Sequence, residues 1–262
     1  MKSLLCLFLL VLGVGQVLAE PAAGTILKEP NTGMEFVWVP SGCSNMGSND
    51  GETFEKPVHL VCVKGFWLGK YEVTQKQYQR IMGINPSDFI GPDHPVDQVS
   101  WDDAVVYTLA YRKLTGVPMR LPSEAEWEYA CRAGGLHEKY CGDGNPADLA
   151  WTGSNTDYST SPVGKLHPNA WGLYDMSGNV WEWVQDCWNL NYIDAPHDGS
   201  AWLTGNCNRR VARGGAWDVN DVNGDHLVRA AKRGRGDHRY RLNVVGFRVA
   251  IGAPVVTFLP RQ

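Results

Sequence analysis

Two stretches of this 262-residue chain carry residues whose types and spacing could do chemistry. In "YDMSGNVWEW", residues 174–183, Asp175 sets a carboxylate on a tight turn. Gly178 and Asn179 permit the backbone angles such a turn needs. A carboxylate joined by backbone carbonyls is a set of hard oxygen donors that suits calcium. The same string also reads as an Asx-type turn entering a strand, with Trp181 and Trp183 in the core. The second stretch, "RGGAWDVNDVNGDHLVRAAKR", residues 213–233, follows a Gly-Gly turn and opens a basic region. From Arg209 to Arg248 there are ten Lys and Arg against four Asp and no Glu, so this span carries +6 in a chain of net charge −4. Such a concentration is either a solvated face or an attraction for an anionic partner.

Other reaction signatures are missing. The chain has no G-x-S-x-G, no P-loop, no H-E-x-x-H, no G-x-G-x-x-G and no C-x-x-C. Its seven histidines are scattered, and His226 and His238 fall in the basic region. An acidic chain without a nucleic-acid-binding motif argues against a nucleic-acid partner.

The first 19 residues read as a secretory signal: Lys2, the apolar run "LLCLFLLVLGV" at 4–14, and the small-residue site "VLA" at 17–19. The mature chain is then expected to begin at Glu20, with an extension over 20–30 and one domain over 31–262. It would be periplasmic or secreted, with no membrane span after cleavage. Removing Cys6 leaves six cysteines, an even number for an oxidising compartment. Nearest-neighbour pairing predicts Cys43–Cys62, Cys131–Cys141 and Cys187–Cys207.

The elements that must position these stretches are partly legible. "MEFVWV", 34–39, and "VHLVCV", 58–63, read as strands, as do "VWEWV", 180–184, and "GFRVAI", 246–251. Capping signals start helices at Thr74 with Gln77, at Ser100, and at Ser123 with Glu126. The helix after Ser100 shows an apolar face of Ala104, Tyr107, Tyr111 and Leu114 and stops at Gly116. The pair Asp102–Asp103 reads as first-turn helix charge. Beyond about residue 135 periodicity fades into long irregular connections, which in a compact domain are functional or tied down by cross-links or metals.

Seven strings occur together in order: "EFVWVPSG…MGS", "GFWLGKYEVTQKQY", "PVDQVSWDDA", "RLPSEAEWEYACRAGG", "NAWGLYDMSGNVWEW", "RVARGGAW" and "VGFRVA". Together, over about residues 31–251, they resemble the formylglycine-generating enzyme, or sulfatase-modifying factor, family. The resemblance implies one α+β domain of C-type-lectin-like fold, rich in irregular loops, with structural calcium. It assigns one calcium to the side chain of Asp175 and the backbone oxygens of Met176, Gly178 and Val180. Catalytic relatives oxidise a sulfatase cysteine to formylglycine with oxygen and copper, using two cysteines in the loop after the Gly-Gly turn and a serine directly behind it. Here the serine position is Ala216, the first cysteine falls on Val219 or Asn220, and the second on Gly224 or Asp225. No cysteine follows Cys207, so a copper–thiolate centre lacks its sulfur ligands and copper is not expected.

The sequence therefore points to an exported binding module whose 217–241 loop meets a protein, peptide or anionic ligand. The expected surface is Trp217, Asn220, Asp225, His226, Arg229, Arg235, His238 and Arg239, with Trp217 as a flat platform and the arginines as forked donors. Two alternatives stand beside it: an oxidoreductase like the pyoverdine-maturation branch of the family, and formylglycine generation by another route.

Overall fold

The computed structural model describes residues 20–136, 139–219 and 226–252, so the expected signal segment lies outside it. Five strands make the first sheet: β1 (Ile26–Lys28), β2 (Glu35–Val39), β5 (Phe66–Gly69), β6 (Met119–Arg120) and β13 (Ala250–Gly252). Their order is β1-β2-β5-β13-β6, antiparallel throughout, so the last strand among the described residues is an interior one. Both faces are covered. Phe36, Trp38, Trp67 and Ile251 point into one apolar cluster and Val37, Val39, Phe66, Leu68 and Ala250 into another. This period-2 alternation places two cores on one sheet. The first core is closed by Tyr107 and Tyr111 of α2 (Trp101–Thr115), and the second by Trp127 and Ala130 of α3 (Glu124–Cys131).

A second sheet holds the two chemically promising stretches. Its order is β11 (Arg233–Asp237), β10 (Asn206–Arg213), β9 (Trp181–Trp188) and β12 (Val245–Gly246), with β12 parallel to β9. Smaller pairs are β3 (Gly42–Met46) with β4 (His59–Val63), and β7 (Ala150–Trp151) with β8 (Ser177–Gly178). The remaining helices are α1 (Gln75–Met82) and a single turn, α4 (Pro146–Leu149). The fold is the expected α+β domain with much irregular chain.

Local expectations fare unevenly. Ser100 and Ser123 each accept the N–H three residues on, while Asp103 and Glu126 return the bond. All three expected disulfides are present: Cys43–Cys62, Cys131–Cys141 and Cys187–Cys207. They fit an oxidising, non-cytoplasmic setting, and among the described residues no helix is long and apolar enough to cross a membrane. Leu114 departs from the expected helix face. It lies in the last turn and is 38% exposed, while Thr108 is buried. The string "GFRVAI" is not one strand. Val245–Gly246 ends the second sheet, Ala250–Gly252 joins the first, and the chain crosses between them at 247–249. The break lets Arg248 turn inward onto Glu182, with contacts of 2.6 and 2.7 Å.

A buried ionic network joins α3 to the second sheet. Arg213, at the end of β10, donates to Glu128 at 2.5 Å and to Glu124 at 3.3 Å. Arg233 donates twice to Glu124, at 2.7 and 3.0 Å. Arg132 and the Gly47 N–H complete Glu128. Burial alone would raise the Glu128 carboxyl, but Arg213 and Arg132 hold it below its ordinary value. Breaking such a pair strands the remaining charges, so Arg213→Ala is expected to lose about 3–5 kcal/mol of unfolding free energy. Urea unfolding with disulfides intact measures it.

Candidate functional site

The segment behind the Gly-Gly turn begins with glycines for a steric reason. Gly215 has φ +81°, and a Cβ there would sit 2.7 Å from the Leu227 carbonyl. The chain then buries Ala216 and turns outward at Asp218. Residues 220–225 lie outside the described residues, so Asn220 and Asp225 have no placement. On the return, Ser177 Oγ donates to Val228 O at 2.9 Å and Ala230 N donates to Lys139 O at 2.9 Å. Arg213 donates to the carbonyls of Ala230 and Ala231 at 2.8 and 3.0 Å. Both ends of the loop are thus fixed to the frame.

The expected surface does not form one patch. Trp217 is 9% exposed. Its indole donates to Asn243 O at 3.0 Å and its ring meets Phe89 edge-on at 5.2 Å. It is a packing residue here, because its apolar ring closes the gap under the 86–98 loop. Arg229 is forked onto the buried Glu55, at 2.7 and 2.8 Å. Arg235 lies 4.7 Å over the Trp188 ring on β11. His238 meets Asp102 at 2.8 Å, and the exposed Arg239 pairs with Asp237. Among the six described residues of this set, only His226 and Arg229 share a cavity.

That cavity is of about 760 Å³. Among the described residues, Arg132, Lys139, His226 and Arg229 contribute to its lining from one side of the sequence. The stretch Asn45–Glu52 contributes Asn45, Ser48, Asn49 and Asp50. Sequence reasoning missed this second wall. It is held to the basic segment by Arg229–Glu55 and by Lys232–Glu52. The basic region is also less free than its +6 implies. Arg213, Arg229, Lys232, Arg233, Arg239, Arg241 and Arg248 all have carboxylate partners.

Asp175 sits in a second cluster. It is buried with φ +54°; Oδ2 accepts from Gly164 N at 2.7 Å, while Oδ1 has no partner. Burial pushes its carboxyl up to about 6, with the Glu182 charge adding to this. Glu72 accepts from Asn179 Nδ2 at 2.6 Å and from Val180 N at 3.1 Å. Burial, then the charge of Asp175, raises Glu72 strongly. Three buried carboxyls thus gather around one arginine, Arg248. Among the described residues no three acidic, histidine or cysteine side chains converge as a ligand set. A cation here would take one carboxylate and backbone oxygens, the donor set the sequence suggests. The orphaned Oδ1 and the excess of negative charge fit a hard divalent ion.

The 86–98 loop that carries Phe89 depends on Asp97. Its Oδ1 accepts from Asp88 N at 2.8 Å, and Oδ2 is buried without a partner.

Fold and site together define a C-type-lectin-like domain with a loop anchored behind a Gly-Gly turn. The chain belongs to the sulfatase-modifying factor enzyme 1-like domain family, which it matches over residues 22–253. It is 32% identical over 231 residues to the chaperone protein LppX of Paenibacillus barcinonensis, covering 66% of this chain and 81% of that protein. It is 28% identical over 228 residues to the formylglycine-generating enzyme of Mus musculus, covering 60% of this chain and 59% of the enzyme. Among solved structures it resembles PvdO from Pseudomonas aeruginosa, with TM-score 0.77, 33% identity and coverage of 89% of this chain and 100% of that one. Treponema denticola variable protein 1 aligns with TM-score 0.78 at 25% identity, covering 87% of this chain and 99% of that one.

Burial, opposed by the backbone N–H groups of Asp88 and Phe89, pushes the Asp97 carboxyl up to about 6. That lies above the value of about 3.9 for an unfolded chain. The folded state keeps this proton where the unfolded state has lost it, so Asp97 lowers stability as pH rises from about 4 to about 6. Asp97→Asn should flatten the pH slope over that window relative to the parent chain, measured by urea unfolding at several pH values.

Proposed function

We propose that this protein is a non-catalytic binding module that holds a polar, peptide-like ligand in the cavity between the Asn45–Glu52 stretch and the His226–Ala231 segment. One observation carries the reading. All six cysteines among the described residues are paired in disulfides, and no cysteine follows Cys207, so the loop has no thiolate to offer copper. The cavity supports it by juxtaposing amide, hydroxyl and carboxylate groups with cationic ones at the end of the loop where catalytic relatives act. A ligand bearing both donors and acceptors matches such walls. The likeness to PvdO over the whole of that chain favours a second reading, an oxidoreductase of the pyoverdine-maturation type.

A cysteine peptide from a sulfatase, supplied with copper and oxygen, separates binding from formylglycine generation. It should be bound without conversion to formylglycine, with binding weakened at least tenfold in an Asp50→Ala/His226→Ala variant. Formylglycine formed beyond a protein-free control would overturn the binding reading.

Calcium is part of the same proposal. Asp175 and the carbonyls of Met176, Gly178 and Val180 would hold it, and it would neutralise the buried carboxyls around Arg248. At a hundredfold excess over the dissociation constant such an ion stabilises the fold by about 2.7 kcal/mol. A calcium chelator should therefore lower the melting temperature, and Asp175→Ala should abolish that response.

A further inference from the structure

We propose that His59 and His197 form a site for a borderline divalent transition-metal ion, copper(II), nickel or zinc, at the start of β4. The two rings come from segments far apart in sequence, and the backbone fixes both. His197 is tied to β4 twice: Cys62 N donates to its carbonyl at 2.8 Å, and its Nδ1 lies 2.7 Å from Leu60 O. His59 opens β4, and its Nδ1 lies 3.1 Å from Pro57 O.

A carbonyl oxygen only accepts, so both Nδ1 atoms carry the proton when the rings are neutral. Each Nε2 is then left with its lone pair. This is the arrangement that prepares a histidine for a metal: the inner nitrogen held by a backbone acceptor, the outer one available.

The ring separation fits a shared ion. The centroids are 5.7 Å apart with planes at 79°. An ion about 2 Å from each Nε2 sets imidazole centroids roughly 5–6 Å apart. The pair is also braced. The Tyr192 ring packs 4.7 Å from His59, and the Cys43–Cys62 disulfide locks β3 to β4. Burial, and then the neighbouring His197, lower the His59 pKa, while Glu128 and Glu124 act against this. Two imidazoles exclude a preference for calcium or magnesium, which want oxygen. Among the described residues no third acidic, histidine or cysteine ligand joins them, so water completes the shell. Without a third protein ligand the intrinsic order of affinities should hold, with copper(II) strongest.

The test uses the untagged mature chain, stripped of transition metals and kept in calcium. Copper(II) is titrated into it and into His59→Gln, His197→Gln and the double variant. The parent should bind one ion in this site, with nitrogen hyperfine structure from two imidazoles in its electron paramagnetic resonance spectrum. Each single variant should bind at least about tenfold more weakly, a loss no smaller than that for removing a supporting group, and show one fewer nitrogen. Circular dichroism and intact disulfides establish that the variants fold. If those at His59 do not, His197→Gln alone decides, since its ring is exposed. Equal affinity in parent and double variant, or no copper binding by the parent, would overturn the proposal.

Discussion

Arg213 brings a permanent positive charge into a place without water, and the surrounding chain is arranged to meet it. Two glutamates come up from α3, and two carbonyls come in from the returning end of the loop at Ala230 and Ala231. Arg233, one strand over, shares Glu124 and stacks near Trp188 and Tyr192. A charge desolvated to this degree is tolerated only when paired and hydrogen-bonded. The network therefore fixes where α3 lies, where β10 ends and where the loop must come back. The Gly-Gly turn follows directly from it, because a chain leaving a sealed arginine has to reverse against the Leu227 carbonyl.

This constraint explains what a charge count hides. The basic region looks like a docking face in sequence, yet seven of its cations answer carboxylates of the same chain. Glu55, Glu52, Glu124, Glu128, Asp103 and Glu182 lie far from it along the chain and beside it in space. The surplus positive charge of the span is largely an internal matching of elements. Under the proposed binding role, the surface offered to a partner is the mixed polar wall around His226 and not a cationic stripe.

Legibility in the sequence follows the range of the interactions. Caps at Ser100 and Ser123 are local and could be read. So could β2, whose alternation reflects a sheet covered on both faces, and the three disulfides, whose partners are near neighbours in the chain. The site was less legible because its partners are distant. Nothing near Trp217 announces Phe89 or Asn243, and nothing near Arg229 announces Glu55. The carboxylates of "SEAEWEYA" look like helix-surface charge, although Glu124 and Glu128 stand on one buried face. One signal was available there: an acidic residue flanked by aromatics, as in Trp127-Glu128-Tyr129 and Trp181-Glu182-Trp183, marks a carboxyl surrounded by core.

The place of β13 has a consequence for how the molecule comes into being. Its residues 250–252 lie between β5 and β6, so the edge strand β6 has nothing to pair with in the main sheet until this late segment is delivered. A polypeptide emerging N-terminus first can form the β3–β4 hairpin and its disulfide early, because both lie within the first 63 residues. It cannot close either core. Both cores therefore reach their final packing only when residues 250–252 arrive, since Ala250 belongs to one and Ile251 to the other. A chain cut short before residue 250 would leave β6 unpaired and both cores incomplete.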